Sequence, residues 1–435
     1  MQISQAIFRR LVAVAVLCLA ASPLTSFGQS GALGTGDSTD WSFGGHTKYQ
    51  YIYTSVPEDS VLQAINGDSL QDHNLEVRLK ASVRHGHWDV STHFQFITVH
   101  SDTLSVYRDL SLPVFPGAGL INDDRRWFDL THELSNKDKN ATVLRLDRAS
   151  VAYTGDKVVM RFGRQAVSWG NGLLFTPMDI FNPFDPTAVD KEYKTGDDML
   201  YGQYLLDNGS DIQAVGVVRR DPISGDVEQD ESSLAAKYHG FWGRTEYDLL
   251  LAEHYAERVI GLGLSTDSGG AVWRADLVWS DTGSGSIFSA VGGASYSWIA
   301  GGHNWTGFLE YYYNGFGQSG GDYSSAGLAA NPELLQRLAR GELFNLGRHY
   351  LGASVTVEVT PLLNLTPNVF INLTDPSALA QLVLSYDWKQ DFQLLGALNI
   401  PIGASGTEYG GIGSEQPGLY VSTGPSLFAQ LAWYF

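Results

Sequence analysis

The chain has 435 residues, 43% of them hydrophobic, with a formal net charge of −19 and a single cysteine. So acidic a chain is a poor partner for nucleic acid, whose phosphates call for clustered Lys and Arg. After residue 28 no apolar run reaches the roughly 18 residues of a membrane-crossing helix, which excludes a helical membrane protein.

The first 28 residues read as a cleaved export signal. Arg9 and Arg10 form its basic start, and Leu11 to Ala21 an apolar run too short to span a membrane. Ser26 and Gly28 are the small residues that precede a cut after Gly28. Cys18 lies inside the apolar run, so the exported chain would carry no disulfide or thiolate site. Residues 29–41, rich in Gly, Ser and Asp, read as a flexible lead-in, and 42–435 as one barrel domain.

From residue 42 the dominant signal is alternation with period two, which gives a strand one greasy and one wet face. Phe43, Thr47, Tyr49, Tyr51 and Tyr53 share a face opposite His46, Lys48 and Gln50. Leu75, Val77, Leu79, Ala81 and Val83 alternate with Glu76, Arg78, Lys80, Ser82 and Arg84. Trp88, Val90, Phe94 and Phe96 follow, then Trp273 to Trp279 and Trp305 to Tyr313, where Phe308 interrupts the polar row. In the last strand Leu427, Ala429, Leu431, Trp433 and Phe435 form one apolar face, which suits contact with lipid.

The connections sort by length. Every second one is short: 85–87, 155–157, 208–209, 239–240, 267–270, 301–304, 360–361 and 389–391. All the long ones fall in the other class, among them 55–72, 101–141, 170–196, 221–231, 316–345 and 403–424. Within 316–345, Pro332 to Leu343 carries a short helical pattern. The expected fold is all-β: a transmembrane antiparallel up-and-down barrel of about 18 strands (16–18), an even number with short turns at one end and loops at the other.

In such a barrel a charge facing lipid costs roughly 2–4 kcal/mol at mid-membrane, so cations point inward. Arg78, Lys80 and Arg84 then line the bore. Leu144 and Leu146 would place Arg148 outside, a conflict that a bulge at Asp147 or Arg148 removes; a bulge at Gly163 does the same for Arg164. Arg145, Arg148, Arg161 and Arg164, with Gln165, then face the interior as a basic row that would attract anions or brace the wall. The loop after this strand is unusually apolar and proline-rich. Leu174, Phe175, Phe181, Asn182, Phe184 and Asp185 make it the candidate constriction, folded into the bore rather than laid over the mouth.

The segment Arg161–Phe162–Gly163–Arg164–Gln165, then Ser168–Trp169–Gly170 and Asn182–Pro183–Phe184–Asp185–Pro186, resembles poorly characterised Gram-negative outer-membrane porin-like barrels. These carry Gly–Arg–Gln and Trp–Gly before a loop with Asn–Pro, and the likeness covers roughly residues 145–190. In architecture alone the chain also resembles substrate-selective porins with about 18 strands and an arginine ladder.

Nothing argues for an enzyme: His46, His73, His93, His254 and His349 are scattered, with no nucleophile motif around them and no metal or cofactor pattern. The expected role is a passive outer-membrane channel for small hydrophilic solutes, with anions the class a basic row would favour. A closed barrel serving as scaffold or adhesin, and a transporter of a hydrophobic compound, stand as alternatives. Expected partners are outer-membrane lipid and lipopolysaccharide, the barrel-assembly machinery through the strand ending in Phe435, and a small-molecule solute. Whether the barrel forms a homo-oligomer stays open.

Overall fold

The computed structural model describes residues 39–110 and 121–435. The expected signal (1–28) and most of the lead-in lie outside these. The wall begins with β1 (Thr39–Ser55), β2 (Ser69–His85), β3 (Trp88–Ser101), a short accessory strand β4 (Thr131–Lys137), β5 (Asn140–Thr154) and β6 (Val158–Gln165). It continues through β7 (Asp197–Leu205), β8 (Asp211–Val217), β9 (Ser233–Trp242), β10 (Thr245–His254), β11 (Glu257–Ser268) and β12 (Ala271–Thr282). Next come β13 (Gly285–Ala300), β14 (His303–Tyr313), β15 (His349–Thr360), β16 (Leu363–Asn372), β17 (Ser377–Lys389) and β18 (Phe392–Ile402). A small ribbon, β19 (Ile412–Gly413) with β20 (Tyr420–Val421), precedes β21 (Ser426–Tyr434). β21 pairs with both β18 and β1, and β3 pairs with β5, so eighteen strands close an antiparallel barrel with β4 and the ribbon outside the ring.

Closure leaves no free edge in the eighteen-strand ring, and the exterior row is apolar. Phe43, Leu249, Leu277, Leu309, Leu382 and Leu431 all stand exposed on it. A continuous apolar surface of this kind requires lipid rather than water. Aromatic rings gather near the short turns, with Trp298 stacked on Trp305 and Phe392 on Trp433.

Two boundaries and one expected bulge differ from the sequence reading. Thr39, Asp40 and Trp41 belong to β1 rather than to a lead-in, because β2 runs down to His85 and pairs with them. The turn expected at His239–Gly240 lies at 243–244, and β9 runs through both residues. Gly240 serves close packing there: an added Cβ would sit 2.8 Å from the rings of Tyr238 and Tyr247. At Gly163 the ladder keeps its register with β5 and β7, and the chain is redirected by a φ of 118° instead of a bulge. The bulge in β5 does form: His93 faces Arg148 and Phe94 faces Leu146, leaving Asp147 as the extra residue.

The wall is not all ladder. Above the end of β6, residues 121–130 fill the space between β5 and β8. The Leu130 carbonyl accepts from Leu146 N at 2.9 Å, and the Arg125 carbonyl from Arg220 N at 3.0 Å. The long connections carry α1 (Gln63–Asn66), α2 (Asp102–Leu110), α3 (Ser325–Ala329) and α4 (Pro332–Arg340). α4 begins at Asn331, whose side chain accepts from Leu334 N, and ends at left-handed Gly341. It buries Leu334 and Leu338 against Tyr323, Leu346 and Ile412 to form a cap over the mouth.

Candidate functional site

The wall of β7 to β12 carries apolar residues on its inner face as well as its outer one. Met199, Val215, Val217, Leu250, Val259 and Val278 are all buried inside. Their cover is the chain between β6 and β7, which turns into the bore and lays Trp169, Met178 and Phe181 on them. Each such fully buried side chain contributes roughly 1.5–3 kcal/mol.

Two lumen carboxylates hold the loop's first half by its backbone. Asp276 of β12 accepts from Asn171 N at 2.8 Å, Gly172 N at 3.2 Å and Asn171 Nδ2 at 2.9 Å. Glu310 of β14 accepts from Leu173 N at 2.5 Å, Leu174 N at 2.8 Å and Phe175 N at 3.3 Å. Gly170, at φ 101°, starts this run. Phe175 then stacks on Tyr312 at 4.9 Å, beside Leu174, Tyr350 and Phe370. Phe308 packs against the same group from the inner face of β14, which explains its place in an otherwise polar row.

The second half returns along the opposite wall. Gln381 of β17 donates to the Thr187 carbonyl at 2.8 Å, and Lys48 of β1 pairs with Asp190 and Glu192 at 2.6 and 2.7 Å. Lys194 joins the two legs, contacting Asp179 at 2.5 Å and donating to the Val167 carbonyl at 2.7 Å. Asn182 sits at φ 53°, Phe184 lines a chamber under the cap, and Asp185 closes a local turn with Thr187. The loop therefore lies inside the barrel, tied to β1, β12, β14 and β17.

Beside it stands the basic group. Arg78 of β2 donates to Asp147 at 2.6 Å, Arg148 to the same oxygen at 3.0 Å, and Arg145 lies 3.6 Å from the other oxygen. The bulge that turns Arg148 inward thus also delivers the carboxylate that three guanidinium groups surround. Tyr193 of the loop is packed among these cations, with Arg78 over its ring at 3.9 Å and Lys80 bonded to its hydroxyl. Arg145 is buried, and its Nε and Nη2 have no hydrogen-bond partner among the described residues.

The sequence-expected residues separate into three environments. Arg78, Arg145 and Arg148 brace the wall through Asp147. Lys80 and Arg161 are half-buried, Arg161 touching Gln165 and Tyr201, and Arg84 is exposed at the short-turn rim near Asp89. Arg164 has no exposed surface: it is sealed in the wall, bonded to Asp123 at 2.8 Å, to Asp198 at 2.9 Å and to the Phe128 carbonyl at 2.6 Å. Gln165 is buried too, donating to the Met199 carbonyl. Arg126 also reaches the Asp123 carboxylate at 2.8 Å, and the Leu130 amide donates to it at 2.8 Å. Arg164 thereby fastens the 121–130 segment to the ladder.

Sequence reasoning missed Asp276, Glu310, Lys48, Tyr193 and Lys194. The available signal was a carboxylate on the inner row of two strands opposite a loop that opens Gly–Asn–Gly, where free amides are plentiful. Among the described residues, no three His, Cys, Asp or Glu side chains converge to hold a metal ion.

No family model and no curated protein matches the chain. Solved structures do. Acinetobacter baumannii OccAB4 is similar with a TM-score of 0.52 and 9% identity, over 90% of this chain and 97% of that one. OccAB3 of the same organism gives 0.50 and 9%, over 91% and 99%. Pseudomonas aeruginosa OpdQ gives 0.48 and 10%, over 91% and 98%. At such identity the likeness is one of fold.

Proposed function

We propose that the barrel is an outer-membrane channel for passive diffusion of small hydrophilic solutes, narrowed by its inward loop and favouring anions. The carrying observation is the state of the charges along the bore. Lys48, Arg78 and Arg148 are matched by carboxylates, whereas Lys80 and Arg161 have no carboxylate within ion-pairing distance among the described residues and keep some exposure. The inner faces of β1, β2, β16 and β18 support passage of water-soluble molecules, since they carry the amides Gln50, Asn74, Asn368 and Asn399, all partly exposed.

Narrowing is what gives two fixed charges leverage. In physiological salt, screening limits their reach to about 8 Å, so they govern a confined path and would be ignored in a wide one. The test is reversal potential in planar bilayers under a KCl gradient. The expected result is chloride preference that weakens in Lys80→Gln and Arg161→Gln and is lost in the double variant. Absence of conductance, or a preference indifferent to both changes, refutes the proposal. The first of these results would favour a closed barrel with a surface role.

A further inference from the structure

The lipid-facing rows of β2 and β3 turn polar at their long-loop ends. In β2 the row runs Leu79, Val77, Leu75 and then His73; beside it in β3 it runs Phe94, Phe96, Thr98 and then His100. Ladder pairing sets Tyr51 opposite His73, His73 opposite His100, His100 opposite Asn140 and Asn140 opposite Lys137. Directly paired residues share a face, so these side chains form one outward row from β1 across to β4. By contrast, Leu373 beside β16, Ile402 of β18 and Leu427 of β21 keep the same end of their strands apolar and exposed.

The row is ordered and carries charge that the protein does not neutralise. His73 Nδ1 meets the Tyr49 hydroxyl at 2.7 Å, and His100 Nδ1 meets Asn140 Oδ1 at 2.8 Å. Both rings are thereby oriented, and each leaves Nε2 without a partner among the described residues. Lys139 is paired with Asp102 at 2.6 Å. Lys137 and Arg108 have no carboxylate within ion-pairing distance among the described residues, and both are exposed. Arg108 bonds instead to neutral groups, the Asp138 carbonyl and the Asn136 side chain. Long connections lie on the external side of such a barrel, so the row stands where the outer leaflet passes from acyl chains to headgroups.

We propose that this row seats the phosphorylated sugar head of lipopolysaccharide. Lys137 and Arg108 take phosphate oxygens, Asn140 and the two imidazoles take sugar hydroxyls, and acyl chains lie along Leu75, Leu79, Phe94 and Phe96. Four inter-strand steps make the row roughly 19 Å long, a length that suits a head of linked sugars bearing phosphates and exceeds a single glycerophosphate head. A second copy of the chain would present the same uncompensated cations to themselves. The inference goes beyond the channel reading and does not need it, because lipid binding requires no conductance.

The test is native mass spectrometry of the full barrel in a non-ionic detergent, titrated with bisphosphorylated lipid A, with phosphate-free lipid A and phosphatidylglycerol as comparison probes. The parent barrel is expected to retain bisphosphorylated lipid A at least about tenfold more tightly than either. Lys137→Gln should weaken retention about fivefold, and Lys137→Gln with Arg108→Gln about twentyfold, while Lys137→Arg restores it. His349→Gln, which breaks the similar Tyr311–His349 pair on β14 and β15, should leave retention unchanged. The proposal is overturned if phosphatidylglycerol is held as tightly, if the double variant binds unchanged, or if barrels pair through this face and exclude lipid A. Because Lys137 and Arg108 are exposed, neither change threatens the folding of the wall.

Discussion

Glu310 offers a direct test of the constriction. Its carboxylate accepts from the amides of Leu173, Leu174 and Phe175, and replacing it with alanine leaves all three without an acceptor. Hydrogen bonds to a charged group contribute roughly 1.5–3 kcal/mol each, so removing three withdraws about 4.5–9 kcal/mol of gross docking energy. The buried side chains of Leu174 and Phe175 return about 3–6 kcal/mol. The docked and released states of the loop apex should therefore approach balance, and even a net loss of about 3 kcal/mol shifts their ratio by roughly a hundredfold. Glu310→Gln keeps one acceptor oxygen and should lie between. The assay is liposome swelling with a neutral sugar, because removing a lumen carboxylate would by itself alter the flux of charged solutes. The expected order of swelling rates is Glu310→Ala, then Glu310→Gln, then the parent. Identical rates from three fully folded barrels would refute the assignment of this contact as the loop's anchor.

Arg164→Ala strands Asp123 and Asp198 inside the wall, and breaking a buried pair in this way costs about 3–5 kcal/mol. The temperature at which the barrel loses its compact electrophoretic migration should fall, with Arg164→Lys recovering part of the loss. Gly163→Ala forces a side chain onto a φ of 118° and against the Ala149 carbonyl, and should cost about 1–3 kcal/mol in urea unfolding followed by tryptophan fluorescence. Glu408, in the loop after β18, is pushed up by burial to about 7, although Tyr350, Asn372 and the Leu346 amide favour its charged form. Its folded pKa exceeds the ordinary value of 4.5, so the folded cap holds a proton that the unfolded chain releases between those limits. Stability from this group is full below pH 4.5 and declines by about 3 kcal/mol as pH rises to 7. Amide exchange in residues 403–424, corrected for its intrinsic pH dependence, should be slower at pH 5 than at pH 8, and Glu408→Gln should abolish the difference.

The amino-acid sequence by itself determined the barrel and the direction of most side chains. Facing in a strand is a local property: residues two apart share a face, so the rows in β1, β2 and β21 could be read without knowing their neighbours. The same logic located the bulge beside Asp147, because an outward Arg148 would have been too costly in lipid. Tertiary structure decided which inward groups find partners. Asp276 lies 105 positions from Asn171 and Glu310 lies 137 from Leu173, so only closure of the cylinder brings carboxylate and amide together. Closure likewise placed Arg164 within the wall beside residues 121–130, where inward and outward lose their meaning. Period-two alternation carries no information about contacts across the bore, and the charge balance of the bore is set by those contacts.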